Sequence, residues 1–167
     1  SPKGALLIDA GASFRALCTA LTAAGGSIDE IKTVLITHEH SDHIRGVGIL
    51  SRKFDLPVYA TPGTWLGMAA KLGAISEKNR RTIETETHFF LGDVDVVAFS
   101  TPHDALEPCG FRFENGAARF ALATDIGCVR EDELPAPPLH SRDFHIDERC
   151  MAVGMAMHVA MALESLR

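Results

Sequence analysis

Closely spaced cysteines, secretion signals and long apolar runs are all absent from this chain of 167 residues. The cysteines Cys18, Cys109, Cys128 and Cys150 are scattered without a C-x-x-C pair, which argues against a disulfide framework and a thiolate zinc site. No basic segment followed by an apolar one opens the chain, and no uncharged apolar run reaches the roughly 18 residues of a membrane span. We therefore expect a cytoplasmic location and no membrane partner.

Positive charge is also scarce. The 16 lysines and arginines are outnumbered by 22 aspartates and glutamates, which gives a formal net charge of −6 at pH 7. This balance is unfavourable for binding nucleic acid, because phosphate contacts normally come from lysine and arginine. One basic group, Lys78, Arg80 and Arg81, can nevertheless follow a phosphate backbone; the alternative is an ordinary solvated face.

Histidine, in contrast, is concentrated in one place. Residues 37–43 read Thr-His-Glu-His-Ser-Asp-His and follow directly on an apolar run. In an extended segment alternate side chains point the same way, so His38 and His40 can converge on one ion while Asp42 and His43 reach a second. Imidazole with carboxylate suits zinc, and also manganese or iron, better than calcium or magnesium. The alternative is a polar turn that happens to hold three histidines.

The motif His38-x-His40-x-Asp42-His43 resembles the HxHxDH signature of the metallo-β-lactamase fold hydrolases. Asp9-Ala10-Gly11 is similar to the D-x-G of that family. Residues 100–105 resemble the segment with the third histidine, and residues 123–127 the segment with the bridging aspartate. Together with the Gly-Phe-Arg-Phe strand at 110–113, these short motifs look most like the YycJ/WalJ-type branch, whose members are regarded as nucleic-acid phosphodiesterases.

The resemblance implies a site for two divalent ions, zinc or manganese, with iron possible. By resemblance, the metal ligands are His38, His40 and His103 for the first ion, Asp42 and His43 for the second, and Asp125 as a bridge. Asp42, His103 and Asp125 would form the catalytic group, in a hydrolysis by metal-bound hydroxide. Asp9 would lie behind the ligands, where its carboxylate accepts hydrogen bonds beneath the histidines. The alternatives are turn residues at Asp9 and Asp125 and a loop residue at His103.

The order of elements predicts an α/β protein, and the resemblance implies an incomplete αββα sandwich. Strands are predicted at 5–8, 33–37, 58–60, 85–90, 94–100, 109–114 and 119–124, and helices at 13–24, 44–54 and 64–72. Asn115-Gly116 predicts a hairpin turn between the last two strands. Together these elements predict a mixed sheet whose loops carry the ligands.

Both ends of the chain depart from the family's pattern. The hairpin that family members have before the D-x-G strand is missing. Also missing are the later sequence motifs that supply the last ligand of the second metal in the family, so we expect truncation at both ends. We divide the chain into a partial domain at 1–134 and a proline-rich linker with an atypical tail at 135–167. His140, His145 and His158 lack a ligand context, and the tail is interpreted as a truncated or frame-shifted end.

The motif itself does not choose among phosphodiester, thioester, lactone and β-lactam substrates. The resemblance favours a phosphodiesterase or exonuclease that acts on nucleic acid, with the oligomeric state open. The alternatives are another hydrolase of the same fold, such as a thioesterase or a lactonase, and a non-catalytic remnant that keeps one metal site or none.

Overall fold

Short apolar runs form most of the strands, and amphipathic runs form helices, in a computed structural model that describes residues 4–127. The strands are β1 (Ala5–Ile8), β2 (Ile31–Leu35), β3 (Val58–Ala60), β4 (Arg80–Thr82), β5 (His88–Leu91), β6 (Val94–Ser100), β7 (Cys109–Asn115) and β8 (Ala118–Leu122). The helices are α1 (Phe14–Ala23), α2 (Ser41–Ile44), α3 (Val47–Phe54) and α4 (Pro62–Leu72), with 3-10 turns at Ile28–Glu30 and Glu77–Asn79. No helix in this range combines the length and apolar character that a membrane crossing requires.

The strands form two four-stranded sheets, which corrects the prediction of one mixed sheet. In the first sheet β1, β2, β3 and β4 lie side by side and run parallel. In the second, β5 to β8 are antiparallel neighbours. Parallel neighbours need long connections, which the helices provide, whereas antiparallel neighbours can be joined by short turns. The Asn115-Gly116 hairpin is confirmed, with Asn115 paired to Ala118 and Gly116 at φ +60°.

The parallel sheet is the middle layer, between the helices and the antiparallel sheet. Alternate residues of β2 point to opposite faces. Val34 packs in one buried cluster with Leu50 and Met68 of the helices, and Leu35 packs in the other cluster with Phe111 of β7. The layers of helices, sheet and sheet match the predicted αββα class, and a fourth layer is not among residues 4–127.

Several boundaries differ from the sequence prediction. β2 ends at Leu35, so residues 36–40 form a loop, called here the histidine loop. The helix predicted at 44–54 is split into α2 and α3, because the backbone N–H of Gly46 donates to the carbonyl of Ala10, and a Cβ there would lie 2.8 Å from the Ala12 carbonyl. β4 was not predicted, since three exposed polar residues carry no periodicity and form a strand only by pairing with β3.

The start of the fourth predicted strand also moves. β5 begins at His88 instead of residue 85, and Glu86 has a left-handed φ of +59°, which ends extended structure before the strand. The boundary predicted at residue 134, the tail at 135–167, and His140, His145 and His158 lie outside the described residues.

Candidate metal centre

The predicted ligands come from loops at one edge of the layered sheets. Asp9 directly follows β1, and the histidine loop directly follows β2. α2 carries the next two candidates, Asp42 and His43. His103 lies in the loop of residues 101–108 between β6 and β7, called here the His103 loop, and Asp125 follows β8. The carboxyl ends of β1 and β2 therefore supply the base of the site.

Asp9 lies beneath the histidines and accepts hydrogen bonds from the segments that carry them. Its Oδ1 accepts the backbone N–H of Thr37 at 2.9 Å, and its Oδ2 accepts the Thr37 hydroxyl at 2.7 Å and Nδ1–H of His43 at 2.8 Å. Its φ of +57° is unusual for a residue with a side chain, although aspartate tolerates this region better than most. Gly11 leaves room for the chain above, because a Cβ there would overlap the carbonyl of Asp42. These contacts join the end of β1 to both loops that follow β2.

One group of ring nitrogens is formed by His38, His40 and His103, called here the first group. Nε2 of His38 and Nε2 of His103 each lie 3.1 Å from Nδ1 of His40. Two nitrogens bound to one tetrahedral zinc at about 2.05 Å are about 3.3 Å apart. The spacing and the all-nitrogen donor set of the first group therefore fit a zinc-sized ion.

A second group consists of His38, His43 and Asp125. Nε2 of His43 lies 2.8 Å from Oδ2 of Asp125. His38 belongs to both groups, so the two places lie side by side. Of the groups found in residues 4–127, neither includes Asp42, whose side chain is 81% exposed with Oδ2 3.7 Å from Nε2 of His43. The structure thus brings five of the predicted ligands together and leaves Asp42 at the margin.

The second ring nitrogen of three histidines is held by a neighbour. The Thr37 hydroxyl lies 3.0 Å from Nδ1 of His38, and since that hydroxyl donates to Asp9, its oxygen accepts Nδ1–H of His38. Oδ1 of Asp104 lies 3.2 Å from Nδ1 of His103. Asp9 holds Nδ1 of His43 in the same way. These contacts select the tautomer in which Nε2 carries the free lone pair, which is the form that binds a metal.

Sequence reasoning missed Thr37 and Asp104 in this role. Both are adjacent in the chain to the histidine that they orient, and that adjacency is the signal that was available. A polar neighbour of a ligand histidine is a weak signal by itself, because only the fold shows which ring nitrogen it reaches.

The surroundings also set the protonation of the rings. Burial, as the largest cause, and the nearby rings of His43 and His103 together lower the pKa of His38 to about 3. Burial also lowers the pKa of His103. The pKa of His43 is raised, chiefly by its hydrogen bond to Asp9. His38 and His103 are therefore neutral at pH 7, as metal ligation requires.

The basic group of Lys78, Arg80 and Arg81 lies elsewhere. Arg80 lies on β4, which is two strands away from β2 in the parallel sheet. It pairs with Val58 at the start of β3, before the carboxyl end of that strand, and Lys78 comes just before β4 in the chain. Lys78 Nζ lies 2.6 Å from Oδ2 of Asp55, and the Arg80 guanidinium lies 4.8 Å from the centre of the Trp65 ring. The structure does not bring this basic group into the cluster of ligands.

Comparison with known proteins gives the family. Residues 5–145 match the family model described as the beta-lactamase superfamily domain. The chain belongs to this superfamily. Its fold implies divalent metal ions, and the first and second groups are the described residues with the donors to hold them.

Individual relatives show which branch of the superfamily this chain resembles. The chain is 40% identical over 126 residues to exodeoxyribonuclease YycJ of Bacillus anthracis, covering 75% of this chain and 48% of that protein. It is 37% identical over 131 residues to exodeoxyribonuclease WalJ of Streptococcus pneumoniae, covering 77% and 49%. The Rm3 metallo-β-lactamase structure matches with a TM-score of 0.58 at 25% identity, over 72% of this chain and 51% of that one. The predicted family and its YycJ/WalJ-type branch are confirmed, and the chain spans about half the length of these relatives.

Proposed function

We propose that this chain carries the site of a metal-dependent hydrolase that cleaves phosphodiester bonds in nucleic acid, as an exodeoxyribonuclease. The observation that carries the proposal is the pair of adjacent ligand groups that share His38. The names of the relatives YycJ and WalJ support nucleic acid as the substrate. Because the chain spans about half of those proteins, the activity and substrate of the whole protein are part of the proposal.

The proposed cofactors are two divalent ions, zinc or manganese, with iron as a further option. When bound, such ions activate water and neutralise negative charge that grows on the phosphate. The proposed holders of the first ion are His38, His40 and His103. His43 and Asp125 would hold the second, with Asp125 between the two.

The protein's own contribution is to fix these donors in place. Asp9 holds the ring of His43, and Asp104 holds the ring of His103, so neither ring has to reorient when an ion enters. The exposed carboxylate of Asp42 is free to turn toward the second group, and we assign it there as a ligand. Asp42, His103 and Asp125 are the proposed catalytic residues, on the resemblance of their segments to the ligand segments of the family.

Substrate binding outside the metal centre is assigned to Lys78, Arg80 and Arg81. Lys78 is 65% exposed at its side chain, so it remains accessible to a phosphate although it pairs with Asp55. A nucleic acid that reaches both places would run from the metal centre across β3 to the edge strand β4. The proposed location is the cytoplasm, in keeping with the free thiols of Cys18 and Cys109.

The ligand assignment is tested by metal content. In His40→Ala, one of the three donors of the first ion is lost, so the first ion is expected to be lost while the second remains. Asp42→Ala should instead weaken the second ion and leave the first in place. Metal content per chain, measured after dialysis against zinc or manganese, decides this. Equal loss of both ions in Asp42→Ala would contradict the assignment.

The substrate assignment is tested with a panel on the full chain loaded with zinc or manganese. Bis-nitrophenyl phosphate should be cleaved in preference to a thioester, a lactone and a cephalosporin. Replacing Lys78, Arg80 and Arg81 with alanine should flatten the salt dependence of DNA binding and leave cleavage of the small phosphodiester unchanged. Faster hydrolysis of the cephalosporin, together with salt-independent DNA binding, would overturn the proposed substrate and leave the fold standing.

A further inference from the structure

Glu39 stands in the chain between two of the proposed ligands and is itself buried. Only 7% of its surface is exposed. Its Oε1 accepts the backbone N–H of Leu106 at 2.8 Å, and its own carbonyl accepts the ammonium of Lys71 on α4 at 3.0 Å. α4 passes directly against the side chain, because a Cβ on Gly67 would lie 2.7 Å from Cδ of Glu39. Glu39 therefore contacts two elements that do not belong to the histidine loop.

The contact to Leu106 falls within the His103 loop. The base of that loop is closed by the backbone bond from Thr101 to the Pro108 carbonyl. Oε2 of Glu107 accepts the N–H of Gly63 at 2.6 Å, at the start of α4. Glu39 thus hydrogen-bonds the His103 loop to the histidine loop, while Glu107 hydrogen-bonds the His103 loop to α4.

Burying the Glu39 carboxylate costs free energy, and the need to fill space between the loop and α4 does not explain why a carboxylate stands there. Its Oε2 is buried and has no hydrogen-bond partner among residues 4–127. A buried carboxylate with an unpaired oxygen is unfavourable, and an apolar side chain of the same length would fill the space without that cost. The carboxylate differs from such a side chain in one way that the structure shows, which is its bond to the Leu106 N–H.

We propose that Glu39 is a positioning residue of the metal centre, which holds the His103 loop against the histidine loop so that Nε2 of His103 stays 3.1 Å from Nδ1 of His40. The inference rests on the proposed metal centre. The residue acts through the Leu106 backbone three positions after His103 and does not contact the ion. α4 packs closely against the Glu39 side chain at Gly67.

The test uses the full chain and two variants of the same length. Glu39→Met fills the same space but cannot accept the Leu106 N–H, whereas the amide oxygen of Glu39→Gln can. Zinc affinity is measured by competition with a chromogenic chelator, and protection of the Leu106 amide by hydrogen exchange. We expect Glu39→Met to bind zinc roughly 10- to 100-fold more weakly and to lose Leu106 protection, and Glu39→Gln to stay within about threefold of the parent chain.

Glu114→Ala is the matched control, because it removes a partly exposed carboxylate that pairs with Arg112 and Arg119 near the hairpin end of β7 and should change neither measurement. Equal zinc affinity in Glu39→Met and the parent chain would overturn the inference and leave the metal centre intact. Equal weakening in Glu39→Met and Glu39→Gln would also overturn it, since the acceptor would then not matter. An unprotected Leu106 amide in the parent chain would overturn it without any variant. A parent chain that binds no zinc would overturn the metal centre and this inference together.

Discussion

At the scale of single residues, Asp9 holds the site in place, although it is not one of the proposed metal ligands. Its carboxylate accepts three hydrogen bonds, two from Thr37 and one from His43. Through Thr37, the same carboxylate also determines which nitrogen of His38 carries the proton. One side chain thus orients a ring in each ligand group, and its left-handed backbone aims it between the two loops.

Asp9→Asn should separate folding from metal binding. Asparagine tolerates the left-handed backbone and can still accept the Thr37 N–H. Its amide group would then donate to Nδ1 of His43, so the ring proton would move to Nε2, which faces Asp125. We expect the second ion to bind roughly 10- to 100-fold more weakly while the fold is retained, measured by zinc titration and circular dichroism.

The matched variant is Asp9→Ala, which loses all three hydrogen bonds. At about 0.5 to 1.5 kcal/mol for each, the free energy of unfolding should fall by about 1.5 to 4.5 kcal/mol in urea titrations. If Asp9→Asn binds two ions with the affinity of the parent chain, the orienting role assigned to Asp9 is wrong.

At the scale of elements, α4 is shaped to lie close to the loops. Gly63 and Gly67 lie four positions apart, and therefore on one face of the helix. A Cβ on Gly63 would lie 3.1 Å from the backbone nitrogen of Glu107, and one on Gly67 would overlap Glu39. The helix begins with Thr61 as its cap, whose hydroxyl also donates to the Glu107 carbonyl at 2.8 Å. The absence of side chains at Gly63 and Gly67 lets α4 pack closely against the His103 loop and the histidine loop.

Gly67→Ala should destabilise the protein, although alanine favours an exposed helix over glycine by about 1 kcal/mol. The added methyl group meets the buried Glu39 side chain, and overpacking of this kind costs about 1 to 3 kcal/mol. Urea unfolding measures the change. The control is Gly26→Ala, where the nearest atom would be 3.6 Å away and the change should stay within about 0.5 kcal/mol. A Gly67→Ala variant as stable as the parent would show that the close contact is absent.

At the scale of the whole molecule, the ligands connect both sheets. Asp9 and the histidine loop follow strands of the parallel sheet, whereas His103 and Asp125 belong to loops of the antiparallel sheet. An ion held by both sets would tie the two sheets together at one edge. Metal binding should therefore stabilise the fold as a whole.

Zinc at about 100 times its dissociation constant should add about 2.7 kcal/mol, which raises the melting temperature by about 5 to 11 °C for a chain of this size. Calorimetry with zinc and with a chelator measures the shift. His38→Ala should abolish most of it, because His38 belongs to both groups. His88→Ala is the control, since His88 is exposed on β5 and pairs with Asp95. A full zinc shift in His38→Ala would contradict the shared site.

The sequence predicted the parts of this molecule that are local in the chain. The spacing of residues 37–43 indicated the ligands that follow β2, and the Asn115-Gly116 turn indicated a hairpin. The division into two sheets was not predictable from periodicity, because it depends on which strands pair. β4 is visible only through its pairing with β3, and the role of Glu39 only through its contact with a loop far along the chain.

The wide separation of the ligands along the chain has a consequence for the order of folding. Asp9 leaves the first strand, and Asp125 comes after the last one described. The second group cannot exist until the β7–β8 hairpin has docked, so zinc should find this set of donors only after the two sheets have come together. Contacts between such distant residues form slowly, because a long loop must first be closed. Capture of the second ion thus reports that the β7–β8 hairpin has joined the strands that carry the histidine loop.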